Sequence, residues 1–106
     1  MVNQPDKVQL RHPDSKKVAP RIDKDKYDVI RAALLKAIPD NEQGVPFEGL
    51  DVRVAKPLSK TARYNISSIG WYTAGVKLDL EAQGLIERVP GSQPQRLRRV
   101  KAQVSN

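Results

Sequence analysis

The stretch SSIGWYTAGVKLDLEAQGLIER, residues 67–88, decides the fold. Its apolar residues recur at the spacing of one helical face, which carries Ile69, Tyr72, Val76 and Leu80. Ser67 or Ser68 can cap the start of this helix, and Gly84 follows its end, where a left-handed glycine commonly stops a helix. We therefore expect a helix over residues 67–83. A hairpin is predicted to follow it, built from strand 85–89, turn 90–94 and strand 95–101.

Two further helices are predicted upstream. Residues 24–38, KDKYDVIRAALLKAI, place their apolar side chains on one stripe and end before Pro39. Residues 46–58, PFEGLDVRVAKPL, fit a helix that ends near Lys56. The alternation through residues 50–54 also fits a strand, and of the two we favour the helix. The predicted order is therefore three helices followed by a two-stranded hairpin.

This order is the plan of the winged helix-turn-helix superfamily, and the passage from helix to hairpin carries the resemblance. Residues 78–88, LDLEAQGLIER, resemble the L-x-x-x-G-L-I-x-R passage of many bacterial winged-helix regulators. The run GWYT (70–73) with VKLDLEA (76–82) is similar to a small bacterial family of unassigned function. The resemblance implies an α+β, mainly helical winged-helix domain over residues 24–101. Such a domain serves in DNA binding or in protein interaction.

The segments outside this domain are polar. Residues 1–23 contain three prolines and no apolar period, so we expect a disordered basic arm, and we expect residues 102–106 to be a short C-terminal tail. No segment has the apolar character of a signal peptide or of a membrane span, which favours a cytoplasmic protein without membrane contact. With no cysteine and a single histidine, His12, we expect neither a metal site nor a cofactor.

The 19 Lys and Arg residues outnumber the 12 Asp and Glu residues, and the excess lies at both ends of the chain. The net charge is +3 for residues 1–24, 0 for residues 25–84 and +4 for residues 85–106. Such basic ends attract polyanions over about 8–10 Å. We therefore expect a duplex-DNA partner whose phosphates are contacted by the basic N-terminal arm and by the arginines of the hairpin, or wing: Arg88, Arg96, Arg98 and Arg99. The third helix is expected to turn its polar residues towards a groove, namely Ser67, Thr73 and Lys77.

Other interpretations of the same residues stay open. The arginines also suit a solvated edge strand that is protected against aggregation. A protein-interaction or dimerisation module is the alternative function, and an exposed Trp71 with arginines on different faces would favour it. Asp79 and Glu81 weigh against base-specific readout, because they add negative charge to the third helix. An enzyme is not expected, since these two acids do not face each other on a helix and no serine has an identifiable histidine base, because His12 lies in the expected disordered arm.

Overall fold

The computed structural model describes residues 6–101 as an α+β domain with four helices and two small sheets. The α+β class predicted from the sequence is thereby confirmed. The longest elements are α1 and α4, with 14 residues each, and they pack against each other. In chain order the elements are β1 Lys7–Gln9, β2 Arg21–Asp23, α1 Lys24–Ala37, β3 Val45–Pro46, α2 Leu50–Ala55, α3 Lys60–Ile66, α4 Ile69–Ala82, β4 Ile86–Arg88 and β5 Arg96–Arg99.

The hydrophobic core lies where α1, α2 and α4 meet the strands. Its fully buried apolar side chains are aliphatic: Ile30, Leu34, Ile38, Leu50, Val54, Val76, Leu80, Ile86 and Leu97. The stripe predicted for the third helix is thus the inner face of α4. Gly84 follows that helix at φ +77°, the left-handed conformation that glycine adopts without steric cost.

The hairpin predicted after the third helix is present and carries one additional strand. The spatial order is β3-β5-β4, and both pairings are antiparallel. Val45 pairs with Leu97 in this register. Gly44 precedes β3 at φ +62°, and a Cβ there would lie 2.2 Å from the carbonyl oxygen of Leu97. Glycine at this position therefore allows β3 to approach β5.

Residues 6–23, where the sequence led us to expect part of a disordered arm, contain two paired strands in the structure. Strands β1 and β2 pair antiparallel, and the connecting segment brings Leu10 into the core at 3% exposure, with Ile22 of β2 at 4%. Lys7 forms an ion pair with Asp23 at the base of this hairpin, and its hydrogen bond lowers the pKa of the Asp23 carboxyl. Two separated apolar anchors give no periodic signal, which is why the sequence pattern indicated disorder. Residues 1–5 and the predicted tail at 102–106 lie outside the described residues.

The middle of the chain also departs from the predicted order of three helices and a hairpin. The helix favoured over a strand for residues 46–58 is present but shorter: it is the six-residue α2, which starts after Gly49 at φ +80°, and Pro46 belongs to strand β3. An additional helix, α3, follows. Its start is capped by Ser59, whose side chain accepts a hydrogen bond from the amide of Ala62 at 3.0 Å.

Candidate nucleic-acid interface

The arginines of the hairpin alternate around a buried leucine. Leu97 is fully buried, while its neighbours Arg96 and Arg98 are half-buried on the other side of the strand and Arg99 is exposed. Arg88 lies on β4, and its side chain is 61% exposed with its Nε 3.9 Å from a carboxylate oxygen of Glu81. The residues expected to form a basic wing therefore do share one hairpin.

Three of these arginines are bound to the protein's own backbone, which the sequence did not indicate. Arg96 donates from Nε to the carbonyl of Gln43 at 2.7 Å and from Nη2 to that of Gly44 at 3.1 Å. Arg98 and Arg99 make similar bonds to carbonyls of the segment that joins α1 to β3, at Glu42 (3.2 Å) and Ile38 (2.8 Å). Arg98 also pairs with Glu87 at 2.6 Å. These guanidiniums hold residues 38–44 against β5, so only their remaining N–H donors are available to a ligand.

Two residues expected on the groove-facing side of the third helix are buried instead. Thr73 is 2% exposed and Lys77 is 3% exposed, so neither side chain can reach a base or a phosphate. Lys77 forms an ion pair with Glu81, and its ammonium lies 5.0 Å from the ring centroid of Phe47. The physical reason is that α4 is the central helix of the domain and packs on α1, α2, α3 and β4. Lys77 is therefore an internal partner of Glu81, whereas the buried hydroxyl of Thr73 has no hydrogen-bond partner among the described residues.

Ser67 remains accessible and occupies an unusual backbone conformation. It lies in the two-residue turn between α3 and α4, with φ 58° and ψ −66°. The amide of Ser68 donates to the carbonyl of Ile66 at 2.7 Å, which closes a γ-turn of the rare positive-φ kind. Such a conformation costs of order 1–3 kcal/mol for a residue with a side chain. The turn that joins these two helices is thus strained and exposed.

Two aromatic side chains flank this turn and face solvent. Tyr64 of α3 is 84% exposed and Trp71 of α4 is 53% exposed. The indole of Trp71 meets the ring of Tyr72 edge to face, with centroids 4.9 Å apart and an interplanar angle of 86°. An exposed Trp71 is one of the two features that would favour a protein-interaction module, and the structure has it.

The structure also reveals a basic surface that sequence reasoning missed. Arg53, Lys56, Lys60 and Arg63 lie on or beside α2 and α3 and are all exposed; we call them the α2–α3 cations. Within residues 6–101, none of the four enters an ion pair. Residues 52–78 contain five cations and no acid, and the fifth cation is the buried Lys77. This run without acids is the sequence feature that could have indicated the basic surface. The net charge of residues 25–84 does not reveal it, because that longer segment is neutral as a whole.

Asp79, one of the two acids that argued against base-specific contact, is buried inside the domain. It is 1% exposed and accepts hydrogen bonds from the amide of Arg11 (2.8 Å), the hydroxyl of Tyr27 (2.7 Å) and the side chain of Gln83 (2.6 Å). Burial, together with the hydrogen bond to Asp79, raises the pKa of Tyr27. Asp79 therefore joins the N-terminal segment to α1 and α4, and its charge is separated from any surface ligand.

These features define a small α+β domain that has an exposed basic helical surface, a strained turn between two helices and two solvent-facing aromatics. A sequence model of the Family of unknown function (DUF6958) matches residues 7–97, and the chain belongs to that family. This agrees with the expected family of unassigned function. No curated protein and no solved structure matches the chain.

Residues 6–101 contain neither a membrane-spanning helix nor a cluster of metal-binding side chains. No helix in this part of the chain is both long enough and apolar enough to cross a bilayer. The same residues bring together no group of three or more His, Cys, Asp or Glu side chains that could hold a metal ion.

Proposed function

We propose that this protein binds nucleic acid and that the α2–α3 cations contact its phosphates. The observation that carries the proposal is that Arg53, Lys56, Lys60 and Arg63 are exposed and form no ion pair within residues 6–101. Lysine and arginine provide the phosphate contacts that position a protein on a nucleic acid. The net charge of +7 adds a long-range attraction for polyanions.

The winged-helix interpretation of the fold belongs to this proposal. Its support is the hairpin β4–β5, which directly follows α4 and presents Arg88 to solvent. Duplex DNA is the partner that this interpretation implies, with the remaining donors of Arg96 and Arg98 as additional phosphate contacts. Because Thr73 and Lys77 are buried, α4 supports the surface from within and does not read bases. We therefore expect binding that depends on salt and varies little with sequence.

A charge-matched pair of variants tests the proposal. Lys60→Ala with Arg63→Ala removes two α2–α3 cations, while Lys16→Ala with Lys17→Ala removes two exposed cations from the loop between β1 and β2. Binding of a random-sequence duplex is measured by fluorescence anisotropy at several salt concentrations. Each phosphate contact adds about 0.9 to the slope of log K against log salt, so the first pair should lower the slope by up to about 1.8.

The control pair should leave the slope nearly unchanged while changing the net charge equally. Equal losses in both pairs would mean that only total charge matters, and the proposed surface would be wrong. A wild-type protein that binds no duplex and no single strand at low salt would overturn the proposed function itself.

One observation favours self-association as a second candidate function. The solvent side of α4 is apolar, with Trp71 more than half exposed and Ala74, Leu78 and Ala82 only partly covered. A helix with apolar residues on every side normally packs on all of them, and small residues allow a second copy to approach closely in a two-fold arrangement. Sedimentation equilibrium should then show a concentration-dependent mass that Leu78→Lys abolishes. A monomeric mass at every concentration contradicts this candidate.

A further inference from the structure

We propose that the surface around the Ser67 turn takes single-stranded nucleic acid, with Tyr64 and Trp71 stacking on unpaired bases. This inference rests on the proposed function and names its substrate class. Among the aromatic side chains of residues 6–101, these two are the ones that are more than half exposed. Surfaces that bind single strands combine cations for the backbone with aromatic rings for the bases.

The positions of the two aromatics put them beside the α2–α3 cations. Tyr64 follows Arg63 directly and lies four residues after Lys60, so Lys60 and Tyr64 share one face of α3. Tyr64 precedes Ser67 by three residues and Trp71 follows it by four. At about 1.5 Å of rise per residue, both lie within about 6 Å of the turn along their helices. Arg63, Tyr64 and Trp71 therefore all lie within about 6 Å of this junction along their helices.

Trp71 is held in place before any ligand arrives. The edge-to-face contact with Tyr72 supports the indole from within the domain. Tyr72 is itself contacted by the ammonium of Lys26, 5.5 Å from the ring centroid. An aromatic group that is already oriented loses little conformational entropy on binding, which favours stacking.

The same surface suits a single strand better than a duplex. In a duplex the bases stack on one another and present only their edges in the grooves, where hydrogen-bonding side chains read them. The side chains of α4 that suit such reading, Thr73 and Lys77, are buried. An unpaired base instead exposes its ring face, for which an exposed tyrosine and tryptophan are the matching groups.

The full chain carries its own probe, because Trp71 is its single tryptophan. Its fluorescence is followed during titration with a short oligothymidylate, with a random duplex of equal length and with inorganic polyphosphate. We expect quenching by the oligothymidylate, since a base stacks on the indole, and little or no quenching by the duplex or polyphosphate. Tyr64→Ala should weaken oligothymidylate binding about 5- to 150-fold, the range measured for loss of one stacked base.

A matched control is Val52→Ala, which trims another exposed apolar side chain, 68% exposed on α2, and should leave the affinity unchanged. Circular dichroism confirms that the Tyr64 variant is folded, as expected for a side chain in solvent. If polyphosphate quenches Trp71 as strongly as oligothymidylate, or if Tyr64→Ala leaves oligothymidylate binding unchanged, stacking is refuted while phosphate binding stands. If no polyanion binds at low salt, the proposed function fails as well.

Discussion

The buried carboxylate of Asp79 supports the sharpest stability prediction, which concerns Asp79→Ala. The variant removes a charged acceptor and leaves three donors without it, of which the Tyr27 hydroxyl is buried and the other two are partly buried. Hydrogen bonds to charged groups contribute about 1.5–3 kcal/mol each, and partly buried donors recover some of this from water. With the buried bond counted at full strength and the two partly buried bonds at reduced strength, we expect the free energy of unfolding to fall by about 3–5 kcal/mol. For a domain stable by about 5–15 kcal/mol, this is a large loss.

Urea denaturation followed by Trp71 fluorescence measures this loss, and Asp28→Ala is the matched control. Asp28 pairs with Lys24 on the exposed surface of α1, and such a pair contributes about 0.3–0.5 kcal/mol. Hydrogen exchange gives a second readout: the amide of Arg11 should be protected in the wild-type protein and unprotected in Asp79→Ala. If both variants lose the same small amount of stability, or if the Arg11 amide already exchanges freely in the wild type, the reasoning about Asp79 is refuted.

Three further predictions follow from burial and backbone conformation. Leu80→Ala should lower the free energy of unfolding by about 2–5 kcal/mol, because Leu80 is fully buried in α4; a melting temperature equal to the wild type's would contradict this. Ser67→Gly should raise stability by up to about 1 kcal/mol, since glycine relieves the strain at φ 58° at a smaller entropic cost; denaturation showing a loss would disprove strain at the turn. Because the pKa of Tyr27 lies above the ordinary value of 10.0, the folded state holds this proton more tightly. The stability that the Tyr27 hydroxyl provides is therefore complete below pH 10.0 and is lost as the pH rises through the pKa of the folded state. Denaturation measured at increasing pH should show that Tyr27→Phe removes this pH-dependent part of the stability.

The elements that sequence reasoning found are those with a long, regular pattern or a clear stop signal. The stripe through Val76 and Leu80 identifies α4 because a 14-residue helix repeats its inward position several times. Gly84 marks its end, since a left-handed position strongly favours glycine. The hairpin follows from the alternation around Leu97. In each case, the local sequence pattern and the tertiary packing favour the same secondary structure.

The elements that it missed depend on contacts between distant parts of the chain. Leu10 enters the core by packing near Gly75, where a Cβ would stand 3.3 Å from its Cδ1, and nothing near Leu10 in sequence indicates this. The seven-residue α3 is too short for a periodic signal. Strand β3 exists because β5 provides its hydrogen-bonding partner, about 50 residues later in the chain.

The candidate site was only partly predictable for a related reason. Charge can be counted from sequence, but whether a cation is available depends on what lies next to it. Lys77 is internal because Glu81 and Phe47 surround it, and Arg96 is occupied because the carbonyls of Gln43 and Gly44 face it. The α2–α3 cations are available because no acid of residues 6–101, including Asp51 on α2 itself, forms an ion pair with them.

The hydrogen bond between Arg11 and Asp79 joins residues that are 68 positions apart, and this separation has a consequence for folding. The hairpin that carries Arg11 is synthesised before its hydrogen-bond acceptor in α4. At about 5–20 residues per second, the hairpin waits about 3–14 s for its docking site. The amide of Arg11 can bond to Asp79 only once α4 is in place, so we predict that β1 and β2 dock late in folding. Mutations there should then accelerate unfolding more than they slow folding.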